Sequence, residues 1–585
     1  MKKILLIYPP VTRPSSFSSS VVRVSAFFPL GLAYIASVLL ESKKYKVEII
    51  DALAEGNVNF GTPINDGREI RYGLTDEVIK EKIESFAPDV VGVSCLFAAS
   101  QKDMENICRL TKKISKEIKT VVGGHHAAST PERIMKLCPD IDFIIEGEGE
   151  LAMLDLLSYL GDESCANYPA GIQAEIGISS ISRESTLAPV KNKFSLDGVV
   201  LREDGLIKTI PKTRFIENLD KIPRPAYHLF DMQRYFDIAK EHGFSSGLPY
   251  TQMVTTRGCP CKCTFCTLAA PPGLPNRLVQ RRRSVQHVLD EMEYLIETYG
   301  VREIHFEDDN LTANKRWAAN LFDGMIERKL DVEWHVPSGI AAYTLDDQLL
   351  DKMKASGCNS ITIAIESGVQ EVLSNLMNKP LKLDKIPALV KAIRKRNIDV
   401  RGFFMLGFPG ETKENMRETV SYARNLELDW TYFSVTSPLP GTKIYKKCIE
   451  KGYIKESDFD NLTSFHRAII TTPEFDPQFV EDLREEAIVD VCFHNNPNLR
   501  KYNVDKAIAS FTDVLSKYPH FDFANFYLGE ALSRKGDIGA AILSYQNTLK
   551  YNPDHNEAKK RLAELKGYAG RTSENMPQTK ERTLQ

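Results

Sequence analysis

MVTTRGCPCKCTFC, residues 253–266, sets a strand-like run against a loop in which four of the chain's eleven cysteines fall within eight positions. Thiols crowded in this way bind metal or react. A closed structural zinc site takes four ligands, typically from cysteine pairs far apart in sequence, and there is no second pair here. Cys259, Cys263 and Cys266 form a C-x3-C-x2-C subset. Iron-sulfur clusters are normally held by four cysteines, so three leave one iron open. On the residues alone zinc remains the alternative. Cys261 is left over and reads as a bystander in a tight loop.

Downstream the strand-like runs recur with helices between them: MVTTR, EIHFED, VEWHV, SITIAIES, VRGFFMLG and WTYFSV. Six strand-helix units predict a partial (β/α)6 barrel over 236–470, with its chemistry at the carboxyl ends of the strands. The cysteine loop follows the first strand, at that end.

Upstream, residues 1–155 alternate short apolar runs with helix-length segments: KILLIY, Pro29 to Leu40, VEIIDA, VVGVSC, TVVGG and DFIIEGEGE. That alternation predicts an α/β domain, a doubly wound parallel sheet with helices on both faces. Ligands of such sheets sit beyond the carboxyl strand ends. There the chain places Tyr8, Ser94, Gly123, Gly124, His125, His126 and Glu148. Residues 156–235 lose periodicity and read as a connector with a hairpin at VVLREDGLIKTI, possessing at most a small sheet of its own.

Near the C-terminus a shift of 34 residues superposes Ala507 on Ala541, Phe511 on Tyr545, Leu515 on Leu549, Pro519 on Pro553 and Ala524 on Ala558. Such a period predicts all-α tetratricopeptide-like helix pairs over 501–567, after a helical linker at 471–500. About two repeats are fewer than the three or so that stand alone. They therefore lean on the barrel or on a protein partner. The polar stretch 568–585 reads as disordered.

At 585 residues the chain exceeds a single core. A net charge of -3 gives no electrostatic reason for nucleic-acid binding. The longest apolar run, Phe27 to Leu40, falls short of the roughly 20 residues of a membrane span. The first residues lack a signal-peptide core, so a cytoplasmic location is expected. Thiols stay reduced there, which favours metal binding over disulfides.

The thiol spacing after a first barrel strand, with Phe265 before the last cysteine, resembles the radical S-adenosylmethionine superfamily. The resemblance implies that Cys259, Cys263 and Cys266 hold a [4Fe-4S] cluster, and that the open iron binds the amino and carboxylate groups of S-adenosylmethionine. It also implies an adenosyl radical and an electron donor such as flavodoxin or ferredoxin. Further matches are Glu307, Asp309 and Asn310 after the second strand, near the methionine amine; Glu366 and Ser367 after the fourth, near the ribose; and Gly407 within MLGFPGET, near the adenine. The sequence departs from the family where EDDN stands in place of Gly-Gly-Glu.

Residues 1 to about 470 resemble the group of that superfamily with a cobalamin-binding domain ahead of the barrel, through YPP, FPLGLAYIASVLLES, VVGGHHAASTPE and LDKIPRPAYHLFD. By that resemblance Ser94, Gly123, Gly124, His125 and Glu148 border cobalamin. The Asp-x-His-x-x-Gly signature for an axial histidine is absent, and His125 and His126 read as pocket lining or helix caps. The implied function is methylation of an unactivated carbon of a small-molecule substrate. Alternatives are a radical cyclisation, oxidation or rearrangement without net methyl transfer, and a corrinoid sensor or metal-stabilised scaffold.

Overall fold

The computed structural model describes residues 1–15, 24, 26–161, 175–176, 196–242, 248–268, 279–461 and 467–574. In the first domain, strands β1 (Lys2–Tyr8), β2 (Tyr45–Asp51), β3 (Val90–Ser94), β4 (Lys119–Gly123) and β5 (Phe143–Ile145) pair in parallel in the order β2-β1-β3-β4-β5. The ILLI stretch of KILLIY, Ile4 to Ile7, is apolar throughout because both of its faces are covered. Ile4 and Leu6 meet helices α1 (Leu30–Glu41) and α4 (Gly149–Leu160); Leu5 and Ile7 meet α2 (Asp76–Phe86) and α3 (Gln101–Ile114). The strand order reverses between β1 and β3, and in doubly wound sheets that switch point opens the ligand crevice.

Two features of this domain depart from the sequence reading. The expected connector hairpin is β6 (Val199–Glu203) and β7 (Leu206–Ile210), and it extends the first domain's own sheet by pairing antiparallel with β5. Val199 and Val200 are buried on opposite faces of that sheet, and this burial draws the hairpin in. A separate three-stranded antiparallel sheet joins Val11–Pro14, Asn57–Ile64 and Glu69–Gly73. Its hairpin turns at Asn65, Asp66 and Gly67, all at positive φ.

Six barrel strands follow: β8 (Tyr250–Met253), β9 (Glu303–Phe306), β10 (Glu333–Ile340), β11 (Cys358–Glu366), β12 (Asp399–Leu406) and β13 (Trp430–Val435). They pair in parallel in chain order, with β8 and β13 as the two edges among the described residues. The first strand starts at Tyr250, ahead of the expected MVTTR; Thr256 and Arg257 instead pair antiparallel with Arg281 and Arg282. Period-two alternation divides each strand between two environments. Ile304, Phe306, Trp334, Val336, Ile361 and Phe404 pack outward beneath α5 (Val285–Tyr299), α6 (Lys315–Glu327), α7 (Asp347–Ala355), α8 (Ile386–Lys395) and α9 (Lys413–Asn425). His305, His335, Ser360, Arg401 and Tyr432 border the interior cleft.

The two α/β units share packing. Phe28 of the first stacks on Tyr227 at 5.1 Å, and the Tyr227 hydroxyl donates to Glu291 of α5 at 2.7 Å. Beyond the barrel, α10 (Pro477–Ala487) and the π-helical segment Ile488–His494 that continues it cover edge strand β13. Two helix pairs follow, α11 (Val504–Lys517) with α12 (Asp522–Lys535) and α13 (Ile538–Tyr551) with α14 (Asn556–Glu574). They lean on the barrel: Phe493 stacks on Phe511 of α11 at 5.1 Å and meets Trp430 of β13 edge-on at 5.7 Å. Helix α14 runs into the stretch expected to be disordered, as far as Glu574, because a helix anchored by buried Ala558 propagates with one added hydrogen bond per residue. The rest of that expected tail lies outside the described residues.

Candidate functional site

The cysteine loop is fixed by backbone bonds to the turn after β11. The Thr264 amide donates to the Met377 carbonyl at 2.9 Å, its hydroxyl donates to Leu376 at 2.8 Å, and the Asn378 amide group donates to the Lys262 carbonyl at 2.9 Å. The loop begins at Gly258, whose φ of 90° and close approach to the Val279 carbonyl, 2.3 Å from where a Cβ would stand, require glycine. Its amide donates to Asp309 at 2.8 Å. Cys263 is buried; Cys259, Cys261 and Cys266 are half-buried. Cys261 is not remote from the others. Its Sγ receives hydrogen bonds from the thiols of Cys259 and Cys263, which lowers the Cys261 pKa and raises theirs, and it meets the Tyr343 hydroxyl at 3.3 Å.

The remaining barrel positions fall into two sets. Glu307 and Asp309 line the cleft, Glu307 accepting from Gln252 at 2.9 Å and from Ser338 at 2.6 Å. Burial raises the Asp309 carboxyl, opposed by the Gly258 amide and by His125. Asp308 between them points away and accepts from Thr255 and Thr256, a brace for the chain ahead of the loop. Asn310 is buried, and its Oδ1 has no partner among the described residues.

Glu366 has φ 73° and an ion pair with Lys379 at 3.2 Å. Burial works against the Lys379 charge, but Glu366 and Cys263 outweigh it and raise its pKa. The same ammonium lies over the Phe265 ring at 6.0 Å, and that ring meets Phe408 edge-on at 6.2 Å. Ser367 spends its hydroxyl on Thr419 and the Val369 amide. Gly407 has φ 80° and faces Val480. Behind it Glu411 accepts from the Phe408 amide at 2.8 Å; burial pushes its carboxyl up to about 8, and its other oxygen has no partner among the described residues.

In the first domain Ser94, Gly123, Gly124, His125, His126 and Glu148 line the same cleft of about 3780 Å³ that contains Glu307 and Asp309. A Cβ on Gly123 would meet nothing within 4 Å, whereas Gly124, at φ 109°, would meet the Cys95 carbonyl at 2.7 Å. Gly124 caps the short helix His125–Ser129. Across the cleft the His125 imidazole meets the Thr267 hydroxyl, next to Cys266. His126 bonds to Gln101 at 2.8 Å, and burial lowers its pKa to about 4. Glu148 pairs with Arg281 at 2.6 Å and with Arg257 at 3.3 Å. Burial tends to raise its carboxyl, but the two guanidinium groups overcome this and hold it below the usual range.

A B12 binding domain family model matches residues 21–157, and a Radical SAM superfamily model matches residues 253–423. The chain is 34% identical over 479 residues, 81% of its length and 86% of the relative's, to cytidylyl-2-hydroxyethylphosphonate methyltransferase of Streptomyces wedmorensis. The chain belongs to the B12-binding radical S-adenosylmethionine enzymes. Its fold is similar to that of the radical S-adenosylmethionine methyltransferase TsrM of Kitasatospora setae, with TM-score 0.57 and 17% identity over 77% of this chain and 78% of that one. It is also similar to the cobalamin-dependent S-adenosylmethionine radical enzyme OxsB, with TM-score 0.61 and 15% identity over 97% of this chain and 75% of that one. Cobalamin, a [4Fe-4S] cluster and S-adenosylmethionine are the cofactors of this family.

The residues present fit these groups. Cys259, Cys263 and Cys266 share one loop at the carboxyl end of β8, Cys263 buried and the other two half-buried, and a metal bound there would release the protons of its thiol ligands. In the first domain a side-chain-free shelf at Gly123 faces the cleft at the carboxyl end of β4, room for a large flat ligand. Sequence reasoning missed Arg257, Lys379, Tyr343 and Glu411. Arg257 and Glu411 stood inside motifs already singled out. For Lys379 and Tyr343 no local signal existed. Among the described residues no helix is long and apolar enough to cross a membrane.

Proposed function

We propose that this enzyme transfers a methyl group to an unactivated carbon of a small-molecule substrate held in the cleft between the first domain and the barrel. The observation that carries the proposal is the single cleft itself. The strand ends of a B12-binding domain and those of a radical S-adenosylmethionine barrel border one space, bridged by His125 and Thr267. When bound, the cofactors supply a substrate radical and a methyl donor; the fold must bring both to one carbon while keeping water away.

In this reading Cys259, Cys263 and Cys266 ligate the cluster, and Cys261 stays outside the ligand set. Glu307 and Asp309 offer acceptors at the mouth of β9 for an ammonium group. Glu366, oriented by Lys379, offers a carboxylate to a ribose, and Phe265 and Gly407 border the nucleotide. Asn310 contributes its unpaired Oδ1, while Ser367 positions the β11 turn through Thr419. Ser94, Gly123, Gly124 and His125 border the corrin. Glu148, neutralised by two arginines, serves the junction between domains. The 34% relative favours methyl transfer over radical chemistry without it.

The test is anaerobic reconstitution with iron, sulfide and hydroxocobalamin, then incubation with methyl-deuterated S-adenosylmethionine and cytidylyl-2-hydroxyethylphosphonate, the compound in the relative's name. The expected outcome is 5'-deoxyadenosine together with a deuterated product. Consumption of S-adenosylmethionine without 5'-deoxyadenosine would overturn the radical mechanism, and turnover without label in the product would overturn methyl transfer.

A further inference from the structure

Deeper in the barrel, below the mouth residues Glu307 and Ser338, two imidazoles and a carboxylate converge. His305 of β9 and His335 of β10 are direct partners in the parallel register, and Glu303 lies two residues before His305, on the same face of β9. The Nε2 of His305 is 2.7 Å from Glu303 Oε1, and the Nδ1 of His335 is 3.6 Å from that same oxygen. The side chains are 5%, 15% and 1% exposed for His305, His335 and Glu303. One ligand atom from each lies within 4.8 Å of the other two.

His305 is hydrogen-bonded to Glu303, whereas His335 is not. A contact of 3.6 Å is too long for a hydrogen bond, so His335 is aimed at the carboxylate without bonding to it. The three donor atoms nonetheless converge closely enough for one cation to be shared among them. We propose that Glu303, His305 and His335 form a site for a first-row divalent cation, separate from the cysteine loop, with its free coordination positions facing the cleft.

The donor set defines the class of cation. Two imidazoles and one carboxylate suit zinc or ferrous iron and leave positions open, as in sites that bind substrate. Arg401 stands near enough to His335 to act on it electrostatically and lines the same cleft. Two imidazoles and a single carboxylate fit calcium and magnesium poorly, since both prefer a shell of oxygen ligands. At roughly 3.3 Å per strand residue, the site lies about 7 Å below Glu307, within reach of a Lewis-basic group on a substrate seated at the mouth.

The experiment uses the full chain with its cluster reconstituted, equilibrated anaerobically with Zn2+ and desalted. About one equivalent of zinc should be retained beyond the cluster iron. Zinc K-edge X-ray absorption should show nitrogen and oxygen ligands at about 2.0–2.1 Å and no sulfur at about 2.3 Å. His335→Ala and Glu303→Gln should each weaken retention at least about tenfold while cluster iron, cobalamin content and circular dichroism stay unchanged. Zinc not retained, zinc ligated by sulfur, or retention equal in both variants would overturn the proposal. Cluster and cobalamin contents read from the same samples keep this outcome distinct from any failure of the proposed methyl transfer.

Discussion

Glu411 should make the barrel less stable as pH rises. Its carboxylate lies wholly buried behind the Gly407–Gly410 turn, with one oxygen on the Phe408 amide and the other unpartnered. Burial raises its pKa from 4.5 to about 8. The folded state therefore keeps a proton that the unfolded chain has released at any pH between those values. Stability is greatest below pH 4.5 and falls as pH rises through the folded value, because the unfolded state binds fewer protons. At about 1.4 kcal/mol per pH unit, the loss between pH 5 and pH 8 is on the order of 3–4 kcal/mol. Glu411→Gln removes the titration and keeps the shape. Of the three tryptophans, Trp317 and Trp334 lie within the barrel and Trp430 where it meets the C-terminal helices, so their fluorescence follows the unfolding of the barrel and of that junction. Urea midpoints of both proteins should converge near pH 5 and separate by pH 8, with the Gln variant the more stable. Other groups that titrate, such as Asp308, cancel in the difference. Parallel pH profiles for the two proteins would refute the reasoning.

Three further outcomes follow from the sites. Cys259→Ala, Cys263→Ala and Cys266→Ala should each abolish the visible iron-sulfur absorption after reconstitution, whereas Cys261→Ala should retain it; loss in the Cys261 variant would place that sulfur among the ligands. Gly123→Leu should fold normally, since a Cβ there meets nothing within 4 Å, yet retain at least about tenfold less cobalamin on gel filtration. Gly124→Ala should instead lower stability by about 1–3 kcal/mol through strain at positive φ, read as a lower thermal midpoint.

The parallel sheet was legible because KILLIY and VVGVS are apolar on both faces, which only a doubly covered strand requires. The barrel was legible because its runs alternate in a fixed rhythm and the cysteine loop marks the first carboxyl end. The three-stranded sheet was missed although Asn65-Asp66-Gly67 is a recognisable turn signal, since the flanking Asn57–Ile64 strand is largely exposed and carries little apolar pattern. The hairpin β6–β7 was seen, but its attachment to β5 depends on a register across some fifty residues, which no local pattern encodes. The convergence of His335 on Glu303 arises in the same way, from positions that become neighbours only when the strands align, and the pairing of Lys379 with Glu366 arises where the chain after β11 folds back on that strand's end.

Arg257 immediately precedes the glycine that opens the thiol loop, and its guanidinium is shared with Glu148 and Glu150 of the first domain. The anchor for one unit is thus also the entry point of the other's metal-binding segment. A chimera that exchanges the first domain for that of a relative must carry both acids with it, or the loop loses its tether at the moment of assembly. Modular as the chain looks, its two halves are constrained to be inherited as a pair.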